Sequence, residues 1–220
     1  DNSFDPVISY GIHAAINHYS ATPETDIAIE PGNFLLADTG GHYYEGTTDT
    51  TRTIVMGSVN DEQKKYFTAV LRGMLNLGNA KFRYGCTGVN LDYLARGPLW
   101  EMGQDFNHGT GHGVGYLLNV HEGPNSFRWR IIQGDNAVLE EGMITTDEPG
   151  VYLEGKYGIR TENELVCRKA EKNEYGQFME FENITYAPID LDGIDPEQMS
   201  PREKQMLNDY HKKVYEVLSP

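Results

Sequence analysis

Residues 34–56 read FLLADTGGHYYEGTTDTTRTIVM. The apolar run Phe34-Leu35-Leu36-Ala37 reads as a buried strand that Asp38-Thr39-Gly40-Gly41 brings to an end. Thr50 to Met56, TTRTIVM, is rich in β-branched residues and reads as the returning arm. The two are expected to pair, with a polar tip between them. Asp38 then closes the first strand and Asp49 opens the second. Carboxylates placed across such a pair repel strongly unless a cation sits between them. Taken alone, the stretch reads more simply as two aspartates in ordinary turns.

Working outward, Val7 to Tyr19 mixes apolar residues with Gly and His and opens as a strand at Val7. A loop rich in Pro, Thr and Asp joins it to Phe34. Downstream, Asn60 is a suitable N-cap, and Phe67, Leu71, Met74, Leu75 and Leu77 have helical spacing, predicting a helix that runs to Lys81. A second helix is predicted from Asn90, with Leu91, Leu94, Ala95 and Leu99 on one face. Gly109 to Gly115 is too glycine-rich for helix and reads as a loop or irregular strand. Strands are predicted over Met143–Thr146, Val151–Leu153, Ile159–Val166 and Phe178–Tyr186. Ser200-Pro201-Arg202-Glu203 is a capping box with proline at the first helical position, and Leu207, Tyr210, Val214 and Val217 line one face of the helix that follows. No low-complexity segment or short-period repeat is present. Two strand–helix halves of similar order fit a pseudo-symmetric α+β domain.

Composition narrows the function. The 220 residues are 39% hydrophobic and 23% charged, as in one folded domain. The net charge of −15 argues against nucleic acid and anionic membrane as partners. No apolar run approaches the ~20 residues of a membrane span. The chain opens on Asp1 rather than Met, so the natural N-terminus is expected to lie upstream. Cys86 and Cys167 form no CxxC pair and read as small core residues in a reducing compartment.

The chemistry gathers in a few short segments. His108-Gly109-Thr110-Gly111-His112-Gly113-Val114-Gly115 is followed by Asn119-Val120-His121-Glu122-Gly123-Pro124. Three of the seven histidines thus fall within 14 positions. Imidazole binds divalent metals and carries protons near neutral pH, and the glycines let backbone approach closely. Glu148, in Thr146-Asp147-Glu148-Pro149-Gly150, sits at the end of an apolar strand. Glu162, in Gly158-Ile159-Arg160-Thr161-Glu162-Asn163, is expected inside another, where a buried carboxylate needs a partner. Arg160 is one candidate, which leaves an ordinary salt bridge open. Asp38, Asp49, His112, Glu148 and Glu162 together suit two hard or borderline divalent ions. Two such ions can share a hydroxide as nucleophile. The GxSxG elbow, the HExxH helix, the P-loop and the dinucleotide fingerprint are all absent.

In order and spacing these motifs resemble the pita-bread metallopeptidases, which include methionine aminopeptidase, prolidase and aminopeptidase P. The two aspartates eleven positions apart match Asp38 and Asp49. The HGxGHxxG histidine matches His112, the EPG glutamate Glu148 and the GIRxE glutamate Glu162. DTGGHYYEGTTDTTRT, HGTGHGVGYLLNVHEGP, TDEPGVY and YGIRTEN are most similar to aminopeptidases P of the longer, eukaryotic-like type, as is the closing stretch from Phe181 to Pro220. One departure is Glu45, where relatives often carry Asp.

The resemblance implies an α+β pita-bread fold: a curved, pseudo-symmetric antiparallel sheet covered by helices. Residues 1–220 would form one catalytic domain, with a core carrying the metal site over 1–180 and a closing segment with its helix over 181–220. It also implies that creatinase-like domains precede this chain, which would then be truncated at its N-terminus and inactive alone if they complete the cleft. The implied activity is release of the N-terminal residue before a proline by a hydroxide that two metals activate. Asp38 would bind one ion, Asp49 and Glu162 would bridge the pair, and His112 and Glu148 would complete the other ion's ligands, with Glu148 also taking a proton. His121 and His18 would contact the reacting peptide, His108 would line the cleft, and Arg160 would orient a carboxylate. The implied ions are Mn²⁺, with Zn²⁺ or Co²⁺ as alternatives. A cytoplasmic location and a homodimer of the full-length protein are also implied. A prolidase cutting only Xaa-Pro dipeptides shares all five ligands and stays open. A non-catalytic pita-bread peptide-binding module, which would typically lack several ligands, is a more distant alternative.

Overall fold

The computed structural model describes every residue from Asp1 to Pro220. Strand β1 (Val7–Tyr10) leads to β2 (Asn33–Thr39), whose polar tip folds into the small hairpin β3 (His42–Tyr43) and β4 (Gly46–Thr47). Strand β5 (Thr50–Met56) then returns, and an antiparallel sheet forms in the order β1-β2-β5. The expected pair is therefore present, with Asp38 opposite Thr51. Phe34 and Leu36 are fully buried while Leu35 and Ala37 face the other side, as period-two geometry requires.

Helix α1 (Asp61–Gly78) starts where Asn60 predicts it. The Asn60 side chain accepts from Gln63 N–H, and the Gln63 side chain accepts from Asn60 N–H. Asp61 and Glu62 sit at the positive end of the helix. Its buried face includes Phe67, Val70, Leu71, Met74 and Leu75, and Phe67 stacks on Phe34 of the sheet with ring centroids 5.9 Å apart. The helix stops at Gly78, short of the expected Lys81, because Lys81–Arg83 becomes strand β6. Helix α2 (Gly88–Leu91) begins before the expected Asn90, whose side chain instead accepts from Thr87 N–H and closes the helix start. Helix α3 (Tyr93–Trp100) follows at once. It crosses α1 so closely that a Cβ on Gly73 would lie 2.3 Å from the Ala95 carbonyl oxygen.

The second half is β-rich. Strands β7 (Gly111–His112) and β8 (Ser126–Phe127) pair with each other. They are followed by β9 (Ile144–Asp147), β10 (Gly150–Leu153), β11 (Tyr157–Arg160), β12 (Asn163–Asn173) and β13 (Gly176–Asn183). The order β6-β13-β12-β9 makes a four-stranded antiparallel sheet, while β10 and β11 form a separate ribbon. The single strand expected over Ile159–Val166 is thus two strands, broken at Thr161-Glu162, and Glu162 lies in the break rather than inside a strand. Residues 159–163 are buried on both sides of the break, so the hydrophobic pattern carries no sign of it.

Helix α4 (Pro201–Leu218) has the expected capping box: Glu203 N–H donates to the Ser200 hydroxyl and Ser200 N–H to the Glu203 carboxylate. Leu207 and Val214 are buried and Tyr210 half-buried, whereas Val217 is 44% exposed because the last turn of the helix lies in solvent. Helix α1 packs against α3, α4, the β10–β11 ribbon and strands β9 and β13 of the four-stranded sheet. One core gathers Phe34, Phe67, Val70, Ile159 and Leu207, and a second lies against the four-stranded sheet around Leu77, Phe127, Leu165 and Met179. Both cysteines are free; Cys167 is buried and Cys86 packs at the edge of the second core. Antiparallel sheets with helices against them place the chain in the α+β class. No helix is long and apolar enough to cross a membrane.

Candidate metal centre

The five expected ligands come from five separate segments and line one cavity of about 330 Å³. Asp38 is the next-to-last residue of β2, and Asp49 immediately precedes β5. His112 ends β7, Glu148 follows β9, and Glu162 occupies the break between β11 and β12. Asp49, His112 and Glu162 each offer a ligand atom within 4.8 Å of the others. His112 Nε2 lies 3.4 Å from Asp49 Oδ2 and 3.3 Å from Glu148 Oε1. Asp38 stands apart from this group. Its Oδ2 accepts from Arg160 Nη2 at 2.6 Å, and its Oδ1 is buried without a partner.

Local geometry explains these positions. A Cβ on Gly111 would lie 1.8 Å from the Thr146 carbonyl oxygen, so only glycine lets β7 approach β9 here. His112 Nδ1 lies 3.0 Å from the Gly113 carbonyl. Donation there leaves the Nε2 lone pair facing Asp49 and Glu148. Threonines aim the glutamates: the Thr51 hydroxyl donates to Glu162 Oε2 at 2.7 Å, and the Thr146 hydroxyl to Glu148 Oε1 at 2.9 Å.

Four carboxylates in one partly dry cavity cannot all stay ionised cheaply. Burial pushes Glu148 up to about 7, against the pull of His112 and Arg160. Burial, with the charges of Asp49 and Glu148, drives Glu162 well above the usual carboxylate range. Asp38 is raised by burial and by Asp49, although Arg160 opposes this. Burial pulls His112 down, yet hydrogen bonding to Asp49 and the charge of Glu148 outweigh it and push the imidazole up to about 9. The site is thus short of positive charge. Its oxygen-rich donors, with one imidazole and an orphaned Asp38 oxygen, fit divalent cations.

The accessory residues surround this cluster. The His121 ring stands perpendicular to His112 with centroids 4.2 Å apart, and it is open to solvent. His18 lines the same cavity. His108 lies further along the cleft, where its Nε2 is 2.9 Å from the Tyr152 hydroxyl. Burial pulls its imidazole down to about 3, although the Gly109 carbonyl opposes this. Arg160 makes its carboxylate bond with Asp38, not with Glu162, two residues along. It also donates to Tyr152 Oη at 2.8 Å and Asn17 Oδ1 at 3.0 Å. Sequence reasoning gave Tyr152, Thr51 and Thr146 no role. The bonds of Thr51 and Tyr152 run to residues in other segments, and Thr146 bonds Glu148 within its own motif, so only their places beside the ligand motifs hint at them.

The chain matches the model of metallopeptidase family M24 over residues 1–169 and that of the C-terminal region of peptidase M24 over 177–220. Aminopeptidase P1 of Arabidopsis thaliana is 44% identical over 221 residues, covering 99% of this chain and 34% of that protein. A probable Xaa-Pro aminopeptidase P of Paracoccidioides brasiliensis (strain Pb03) is 42% identical, covering 99% and 36%. Among solved structures, the X-prolyl aminopeptidase of Caenorhabditis elegans, a cytosolic enzyme with a di-nuclear active site, superposes with a TM-score of 0.91 at 39% identity over 98% of this chain and 35% of that one. The prolidase of Pyrococcus furiosus gives 0.65 at 36% identity over 75% and 46%. The chain therefore spans about a third of the length of the curated relatives it matches. With the fold and the ordered ligand motifs in agreement with these matches, the chain belongs to metallopeptidase family M24.

Proposed function

We propose that this chain is the catalytic part of a metal-dependent aminopeptidase that releases the N-terminal residue from peptides with proline in the second position. The observation that carries the reading is the convergence of Asp49, His112 and Glu162, with Glu148 against His112 and Asp38 on the same cavity wall. In this reading residues 1–180 form the core that carries the metal site, and residues 181–220 close over it as part of the same catalytic domain. Asp38 would hold one divalent ion, Asp49 and Glu162 both ions, and His112 and Glu148 the other. Mn²⁺ is the ion we favour, because a carboxylate-rich set suits a hard cation, ahead of Zn²⁺ or Co²⁺. Such ions supply Lewis acidity to the scissile carbonyl and to the attacking water.

The protein's own groups do the rest. Glu148, held on the cavity wall against His112, takes the proton from the attacking water. His121 and His18 on the cavity wall hydrogen-bond the peptide around the bond that breaks. His108, kept neutral, lines the cleft beyond them. Arg160 holds Asp38 in place. A proline nitrogen offers no N–H to a peptidase, so recognition there rests on shape and on groups contacting neighbouring carbonyls. A cytoplasmic location and a homodimer of the longer protein belong to the same reading, the former because the C. elegans relative is cytosolic.

Cleavage of an Xaa-Pro-Xaa tripeptide alongside an Xaa-Pro dipeptide, with and without Mn²⁺, tests this. Mn²⁺-dependent release of the first residue from the tripeptide is expected. Turnover of the dipeptide alone would instead favour the prolidase reading, which structural likeness to prolidases keeps in view. Glu148→Gln should lower kcat by about 10²–10⁴-fold, the range for losing a positioned proton carrier.

A further inference from the structure

Glu162 lies in neither sheet. It occupies the break between β11 and β12, where no ladder fixes its peptide. Its position depends instead on two consecutive residues of β5. The N–H of Glu162 donates to the Thr51 carbonyl at 3.1 Å, and its carboxylate accepts from the Thr51 hydroxyl at 2.7 Å. Its carbonyl accepts from Arg52 Nη1 at 2.6 Å.

Arg52 in turn is held by the C-terminal segment. Nε donates to Pro188 O at 3.1 Å, and Nη1 also donates to Thr51 O at 2.8 Å. Nη2 reaches Asn163 Oδ1 at 2.7 Å, Ala187 O at 2.8 Å and the Tyr210 hydroxyl at 2.7 Å. The Tyr210 hydroxyl passes its own proton to Ala187 O at 2.5 Å. All of these partners are carbonyls, an amide and a hydroxyl, with no carboxylate among them. A guanidinium taken from water into such a cage is costly unless every donor is used, and here every donor is used. Three of its six partners belong to residues 187–210, and the others are Thr51, Glu162 itself and Asn163.

We propose that the C-terminal segment is a positioning device for the metal centre, and that it acts through Arg52 as the positioning residue for Glu162. This rests on the reading of Glu162 as a metal ligand. Helix α4 presents Tyr210, and the stretch before it presents the Ala187 and Pro188 carbonyls. Together they fix the guanidinium fork, and the fork fixes the Glu162 peptide. Without it, the buried Glu162 carbonyl loses its donor, and the peptide is free to turn the carboxylate away from Asp49 and His112. Partners of this kind behind a metal ligand are typically worth about 10–100-fold in metal affinity.

The test is a calorimetric titration of the metal-stripped full chain with Mn²⁺, with urea unfolding of each variant alongside. Arg52→Met should weaken the weaker-bound Mn²⁺ by about 100-fold and Tyr210→Phe by about tenfold, with Arg52→Lys restoring part of the loss. Met179→Ala, in the second core away from Arg52 and α4, should lower the unfolding midpoint and leave Mn²⁺ affinity unchanged. If Arg52→Met does not fold, Tyr210→Phe, which loses a single hydroxyl, decides. The proposal is overturned if Tyr210→Phe binds both ions as the wild type does. It is also overturned if Met179→Ala weakens Mn²⁺ as much as Tyr210→Phe does. A wild-type chain that takes up no Mn²⁺ would instead sink the metal-centre reading itself, and this inference with it.

Discussion

At the scale of single residues, two positions test the site without offering it a ligand. A Cβ at position 111 has nowhere to go, because the Thr146 carbonyl oxygen would lie 1.8 Å away. Gly111→Ala must push β7 off β9 and carry His112 with it. The expected outcome is weaker Mn²⁺ binding by about tenfold or more, read by titration, as for other disturbances of a ligand's support. Unchanged affinity would show that His112 is placed by something else. The second position is His108, half-buried beside Tyr152 and pulled down to about 3 by burial. Between that value and the ordinary 6.5 the unfolded chain binds a proton that the folded chain refuses. The contribution of His108 to stability is therefore complete above about pH 6.5 and is lost as pH falls toward about 3. Its ring proton resonances should stay flat from pH 5 to 8 in an NMR titration, and a midpoint near 6.5 would contradict this.

At this same scale the five candidate ligands, which the structure gathers on one cavity, stood out because each sits in a short motif with an ordered neighbour. Thr51 and Arg52 were not. Thr51 donates to a carboxylate 111 positions away, and Arg52 reaches Tyr210 158 positions away. A contact of that span leaves no periodicity for a reader of the chain to find.

Elements were read well where their ends are chemically marked. Asn60 and Ser200 announce α1 and α4, since a cap must satisfy the free N–H groups of the first turn. Ser200→Ala should cost about 1 kcal/mol of stability in a urea titration, the usual price of a lost cap. The partner in that box, Glu203, is raised by burial. The Ser200 N–H and Arg72 outweigh burial and hold it below the ordinary 4.5. Its folded value is depressed, so its stabilising contribution is present above about pH 4.5 and fades as pH falls through the folded value. Glu203→Gln should flatten the acid limb of the stability curve. An acid limb as steep as that of the wild type would rule this out. Elements were misread where burial hides the boundary. Residues 159–163 are buried throughout, so nothing in their polarity separates β11 from β12. The break is set instead by pairing, since β11 joins β10 while β12 joins β9 and β13.

Over the whole molecule, the net charge of −15 has a local meaning. Five acidic side chains line one cavity, where Asp38 leans on Arg160 and both Asp49 and Glu148 lean on His112. Divalent ions that bind the folded chain but not the unfolded one must stabilise it, by about 2.7 kcal/mol at 100 times Kd. Thermal unfolding of the chain should therefore move upward with Mn²⁺ and return on addition of a chelator. A midpoint indifferent to both would separate the acidic cavity from metal binding.

The number of ions the chain holds tests the metal centre most directly. Metal content per chain should be measured after equilibration with Mn²⁺ and removal of the excess, for the wild type, Asp49→Asn and Glu162→Gln. The account predicts two ions in the wild type and fewer than two in each variant, with all three still folded. Variants that retain the same content as the wild type would contradict it, because the ions would then lie somewhere other than the cavity that these side chains build.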